Sequence, residues 1–149
     1  RAVVAVGGSV GVWGEKPFGQ HWNIAVRDPD SEGSLGTLSV PSGFLSTSGS
    51  YEKQFEEDGV TYHHILDPET GYPAESRFVG VTIWSGSGVL SDALSTACFV
   101  LGMEESLPLL EQFGCGAVFL TEDHQIYVTE NLADAFHLDS DNYTLAGVV

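Results

Sequence analysis

Apolar runs of a few residues, each closed by turn chemistry, open the chain: AVVAVGG, GEKPFG, HWNIAVRDPD and GTLSVPSG follow one another within the first forty positions. This pattern predicts antiparallel strands. Within HWNIAV the period of two places Trp22, Ile24 and Val26 on one face and Asn23 and Ala25 on the other. Next comes GFLSTSGSYEKQFEEDGVTYHHILDPETGYP, in which Asp58-Gly59 marks a tight turn between SYEKQF and VTYHHIL, and DPETGYP reads as a compact loop. FVGVTIW predicts a strand with Val79, Val81 and Ile83 alternating.

The pattern then changes. SGSGVLSDALSTACFVLG predicts a helix over about 88 to 101, opened by Ser and Gly and ended by Gly102. EESLPLLEQFG predicts a second, shorter helix with Pro108 in its first turns and Gly114 after its last apolar residue. AVFLTEDHQIYVTE predicts a hairpin around Glu122, Asp123 and His124. Strands, a helix pair and strands again imply an α+β fold, an antiparallel sheet with helices packed on one face.

Length and composition bound the function. At 149 residues, 42% hydrophobic and 11% aromatic, the chain can bury one core, so a single domain over 1–149 is expected. No run of about 18 apolar residues is present to cross a membrane as a helix. The opening on a strand-like run without an initiator Met is read as the start of a fragment. A formal charge of −16, with residues 78 to 149 carrying ten carboxylates and no Lys or Arg, excludes nucleic acid as a partner. Such an acid excess suits either a solubilising surface or a cation site. Cys98 and Cys115 lie in apolar settings without CxxC spacing and are expected to be buried.

Three stretches carry groups able to do chemistry. On the helix over 88–101, Asp92 stacks with Thr96 and Ser91 with Ser95, while Leu90, Ala93, Leu94, Ala97 and Leu101 include the better core positions. A carboxylate and a hydroxyl one turn apart suit a hard cation such as Mg²⁺, and equally suit a helix start with a Thr bonded back to a carbonyl. In HHILDPETG, His63 and His64 point to opposite faces of a strand, so one of them is available to a given site as a proton carrier. Asp67 and Thr70 belong to the turn that follows. In STSGSYE, Thr47, Ser48, Gly49 and Ser50 offer hydroxyls and close backbone approach to a phosphate or ribose, as a polar loop also would. The sequence lacks GxGxxG, GxxxxGK[ST] and HExxH, which excludes Rossmann, P-loop and the commonest zinc-protease readings.

Taken in order, VGGSVGVWGEKPFGQHWNIAVRDP, STSGSYEKQFEEDGVTYHHILDPETGYP and VTIWSGSGVLSDALSTACFVLG resemble the ApbE family of flavin transferases, the FAD:protein FMN transferases. The match spans about residues 3 to 103, and TSGSYE, HHILDPETGYP and SDALSTA are its most specific parts. The resemblance implies the C-terminal portion of an enzyme whose N-terminal half is absent from these residues. It implies Mg²⁺-dependent transfer of FMN from FAD to a Thr or Ser hydroxyl of a target flavoprotein, with release of AMP.

The same resemblance implies Asp92 and Thr96 as metal ligands and His64 as the catalytic histidine, with Asp67 orienting its loop. It also implies contacts to the flavin nucleotide from Thr47, Ser48, Gly49, His64 and the Ile65 backbone. The family's GGN stands here as GGS, with Ser9 in the Asn place. An extracytoplasmic lipoprotein, reaching the membrane only through an N-terminal lipid anchor, is implied by the family alone. Two other functions fit the same residues: an FAD pyrophosphatase giving FMN and AMP, and a non-catalytic flavin-binding domain.

Overall fold

The computed structural model describes residues 1–149. Before the helices come eight strands: β1 (Ala2–Val6), β2 (Ser9–Trp13), β3 (Trp22–Arg27), β4 (Ser34–Val40), β5 (Gly43–Gly49), β6 (Gln54–Glu57), β7 (Val60–His63) and β8 (Phe78–Ser85). Two helices follow, α1 (Gly88–Leu101) and α2 (Met103–Phe113), then β9 (Gly116–Thr121), β10 (Gln125–Val128), β11 (Phe136–Leu138) and β12 (Thr144–Val148).

Seven strands make the main sheet in the order β1-β2-β5-β8-β9-β10-β12. Its pairings are antiparallel except the last, β10 with β12, which is parallel. Both helices pack on one face, where Val81, Ile83 and Phe119 meet Leu94, Cys98, Phe99 and Leu110 in one buried cluster. The α+β class and the placement of the helices are as the sequence predicts. The opposite face is covered as well: β11, β4 and β3 form a second, three-stranded sheet, and its Leu35, Leu38 and Val40 bury against Leu45, Val118, Leu120 and Ile126. The sequence pattern alone implies one sheet, so this second sheet is a correction. A strand covered on both faces reads as a continuous apolar run, and β9, buried from Gly116 to Leu120, is that strand. Removing a side chain such as the fully buried Phe99 costs about 3–5 kcal/mol.

Local features follow from individual residues. Asp58 and Gly59 both take positive φ (52° and 78°), the backbone of a two-residue hairpin loop, so β6 and β7 pair around them as expected. Gly102 at φ 80° ends α1, and α2 begins directly at Met103 with Glu104 and Glu105 in its first turn, favourable to the helix dipole. Gly114 closes α2 in the left-handed conformation.

Two expectations are corrected. In β8 the register slips between Phe78 and Gly80, so Val79 turns toward the three-stranded sheet while Val81 and Ile83 face the helices. On α1 the buried positions are Ser91, Leu94, Ser95, Cys98 and Phe99, whereas Ala93 and Leu101 are exposed. The reason lies in β5, which presents hydroxyls rather than methyls to that part of the helix. Cys98 and Cys115 are free and buried, as expected.

Candidate functional site

β5 lies beside α1 along the middle of the main sheet, and its alternation sorts STSGS into two sets. Ser46 and Ser48 face the helix. Ser46 Oγ is 2.9 Å from Ser91 Oγ and 2.9 Å from Ser9 Oγ, and Ser48 Oγ is 2.8 Å from Ser95 Oγ and 3.0 Å from Thr96 Oγ1. Ser91 and Ser95 complete the ladder by donating to the carbonyls of Gly88 (3.0 Å) and Asp92 (2.8 Å). Each hydroxyl of this ladder thus has a partner, as burial requires.

This ladder fixes which stripe of α1 remains outside. Asp92 and Thr96 sit one turn apart on the exposed side. The Asp92 carboxylate receives only a long contact from Ser9 Oγ, at 3.4 Å, and none of the chain's ion pairs involves it. A shallow depression of about 520 Å³, lined by Val6, Ser9, Val89 and Asp92 among others, opens beside it. The donors are all oxygen and hard, which fits Mg²⁺. No group of three or more His, Cys, Asp or Glu side chains gathers here, so Asp92 and Thr96 would supply two ligands and leave the remainder to water and phosphate oxygens.

The loop after β7 carries the second group of predicted residues. His64 is exposed; its backbone N–H donates to Lys53 O at 3.1 Å, and its Nδ1 lies 3.3 Å from the same carbonyl. A carbonyl only accepts, so in the neutral ring this contact favours the tautomer with the proton on Nδ1 and Nε2 as the acceptor. Ile65 is buried in the helix-side core, and its carbonyl accepts from Ala74 N at 3.0 Å. Asp67 holds the DPETGY turn: its carboxylate accepts from Glu69 N at 2.8 Å, its N–H donates to Tyr72 O at 2.8 Å, and its carbonyl accepts from Gly71 N at 2.8 Å. Asp67 therefore closes the turn that follows His64 and Ile65. His63, on the other side of the strand, packs edge-on against Phe99 of α1 at 5.6 Å.

The predicted nucleotide-contacting residues do not all share one surface. Ser48 joins Thr96 on the helix side. Thr47 bonds Thr82 Oγ1 at 2.8 Å on the opposite face, beside a cavity of about 210 Å³ bounded by Gly7, Gly8, Arg27 and Tyr51. Gly49 belongs to Thr47's side, where an added Cβ would lie 2.5 Å from the Tyr51 ring. Burial pushes the Tyr51 phenol above its usual range. Ser9 and the Ser46–Ser91 ladder lie outside the site residues that the sequence points to. The two-residue period of β5 is the signal that would have placed Ser46 and Ser48 together.

Residues 1–119 match the ApbE family. An FAD:protein FMN transferase of Treponema pallidum is 44% identical over 116 residues, which is 76% of this chain and 32% of that protein. Its counterpart in Rhodobacter capsulatus is 38% identical, covering 88% of this chain and 25% of that protein. The chain thus spans about a third or less of these two relatives. The crystal structure of the ApbE protein from Thermotoga maritima superposes with a TM-score of 0.81 at 36% identity, over 90% of this chain and 44% of that one. The apo flavinyl transferase ApbE of Pseudomonas stutzeri gives a TM-score of 0.69 at 34% identity, over 93% and 44%. On sequence and on fold, this chain belongs to the ApbE family.

Proposed function

We propose that the chain is the C-terminal part of an FAD:protein FMN transferase that moves FMN onto a Thr or Ser hydroxyl of an acceptor flavoprotein and releases AMP. One observation carries this reading: Asp92 and Thr96 stand exposed and free of any cationic partner on a helix whose other side is tied to β5. Asp92 and Thr96 hold Mg²⁺, which when bound neutralises charge on the pyrophosphate oxygens. Ser48 and Ser9 steady those two side chains, and Thr47, Ser48, Gly49 and the Ile65 backbone contact the nucleotide.

The acceptor hydroxyl oxygen attacks the FMN-side phosphorus of FAD. The new P–O bond forms as the bridging P–O bond breaks, AMP leaves with the bonding pair, and the hydroxyl proton passes to His64 Nε2. Asp67 closes the turn that follows His64. The exposure of His64 to solvent supports a second reading, in which water replaces the hydroxyl and FAD is cleaved to FMN and AMP.

Incubating the native-length protein with FAD, Mg²⁺ and an apo-flavoprotein acceptor separates these readings. An acceptor heavier by one FMN, formed with equal AMP, supports transfer. AMP without acceptor modification supports hydrolysis, and neither product leaves a non-catalytic flavin-binding domain. An extracytoplasmic, lipid-anchored location goes with the family resemblance and is checked by fractionating cells.

A further inference from the structure

The hairpin of β6 and β7 is built unlike the rest of the molecule. It forms a two-stranded sheet of its own, and neither buried cluster includes any residue between Leu45 and Ile65. Its apolar side chains lie on the surface. Phe55 and Tyr62 stack at 5.3 Å with Phe55 61% exposed, and Val60 and Tyr72 nearby are 51% and 68% exposed. Glu56, Glu57 and Asp58 crowd the tip. An isolated hairpin with an aromatic face is marginal in water unless something covers it.

Its outer edge is open along Thr61 and His63, and past His64 the chain's own Pro73 and Ala74 pair with Leu66 and Ile65. The Asp58-Gly59 loop makes Glu57 and Val60 the closing hydrogen-bonded pair, and alternation then directs the backbone groups of Val60 and Tyr62 toward β6. His64 N, bonded to Lys53 O, continues the series. The N–H and C=O of Thr61 and His63 therefore point away from the hairpin. Along this strand runs a cleft of about 680 Å³, lined by Val60 to His63 on one side and Tyr72 to Glu75 on the other. His63 Nδ1, at this cleft, is buried without a hydrogen-bond partner. The cleft ends one residue short of His64.

We propose that the free edge of β7 docks the acceptor polypeptide, which adds to it as an extended strand and is thereby led to His64. The inference rests on the flavin-transfer reading above. Strand addition satisfies the backbone of Thr61 and His63, and alternate apolar side chains of the guest cover Tyr62, which Phe55 braces from β6, and Tyr72. Basic residues flanking the acceptor hydroxyl meet Glu56, Glu57 and Asp58 at the hairpin tip. FAD is the poorer occupant, because the cleft sets Glu75 and Glu122 against a single cation, Arg77.

The test uses the native-length protein and, as probe, a recombinant flavoprotein subunit made without its covalent FMN and carrying one acceptor threonine. Thr61→Pro removes an outward N–H while leaving the β6–β7 ladder intact. Phe55→Ser, at an exposed position, serves if the proline disturbs folding. Both variants are expected to raise KM for the acceptor by about tenfold or more, the effect of one lost anchor. FAD affinity and acceptor-independent AMP release are expected to stay at the wild-type level. Wild-type KM for the acceptor in both variants overturns this inference alone, and so does a loss of FAD affinity, which would make the cleft a nucleotide site. A wild-type protein that binds FAD but never modifies the acceptor overturns the transferase reading, and the docking inference falls with it.

Discussion

Two groupings of carboxylate and hydroxyl stand on this fold, and they are used in opposite ways. At one, Asp28 is 3% exposed; its Oδ1 accepts from Asp30 N at 2.9 Å and its Oδ2 receives Ser140 Oγ at 3.4 Å. Asp30 in turn accepts from the Tyr143 hydroxyl and pairs with His124 Nε2 at 3.5 Å, while the His124 and Tyr143 rings lie 4.7 Å apart. That grouping is consumed in tying the loop after β3 to the end of the chain. At the other, Asp92 and Thr96 face outward with one long contact at the carboxylate. Carboxylates whose oxygens are taken by the fold stabilise it, whereas a carboxylate held in place from behind and left open in front is available to a ligand.

The largest way to break this comparison is at the open grouping. Asp92→Ala is expected to lower FMN transfer by about a thousandfold, as the loss of several kcal/mol of metal stabilisation requires. Its Tm should stay within about 2 °C of wild type, because an exposed side chain without partners contributes little to folding. Parallel activity assays and thermal melts check both halves. A melt depressed as far as the activity would place Asp92 in the fold rather than in the site.

The closed grouping should answer in reverse. Asp28→Ala strips the acceptors from Asp30 N and Ser140 and is expected to cost about 1–3 kcal/mol in denaturant unfolding. Affinity for FAD should be unchanged, as isothermal titration of that variant would show.

A smaller effect sharpens the contrast. Burial first, then the hydrogen bond and charge of Asp30, raises the Tyr143 phenol well above its ordinary 10.0. A group whose pKa is raised in the folded state stabilises fully below its unfolded pKa and loses that contribution as pH climbs above it. Stability should therefore decline above about pH 10, and Tyr143→Phe should flatten that decline. Thermal melts between pH 8 and 11 would show equal alkaline slopes if the phenol is not involved.

How far the molecule was legible in its sequence depends on the range of the contacts. Local signals carried: Asp58-Gly59 gave its hairpin, Gly102 ended α1 at the expected residue, and the 3.6-residue period put Asp92 and Thr96 on one stripe. Long-range and polar features were not readable. Hydrophobicity ranks Ala93 and Leu101 above Ser91 and Ser95 for burial, yet the serines are inside because β5 supplies their hydrogen-bond partners. The bulge that turns Val79 over depends on its register with β9, and Asp30 meets Tyr143 across 113 residues of chain. The loss of one shared surface for Thr47 and Ser48 is simpler: neighbours in a strand face opposite ways, and a motif read as a loop hides that.

The central claim is that Asp92 and Thr96 together hold a cation that serves FAD. Isothermal titration of FAD into the native-length protein and its Asp92→Ala variant, each with and without Mg²⁺, tests it most directly. Mg²⁺ is expected to strengthen FAD binding in the wild type and to have no effect in the variant. Equal FAD affinity with and without Mg²⁺ in both proteins would contradict it and leave a flavin-binding module without a metal site.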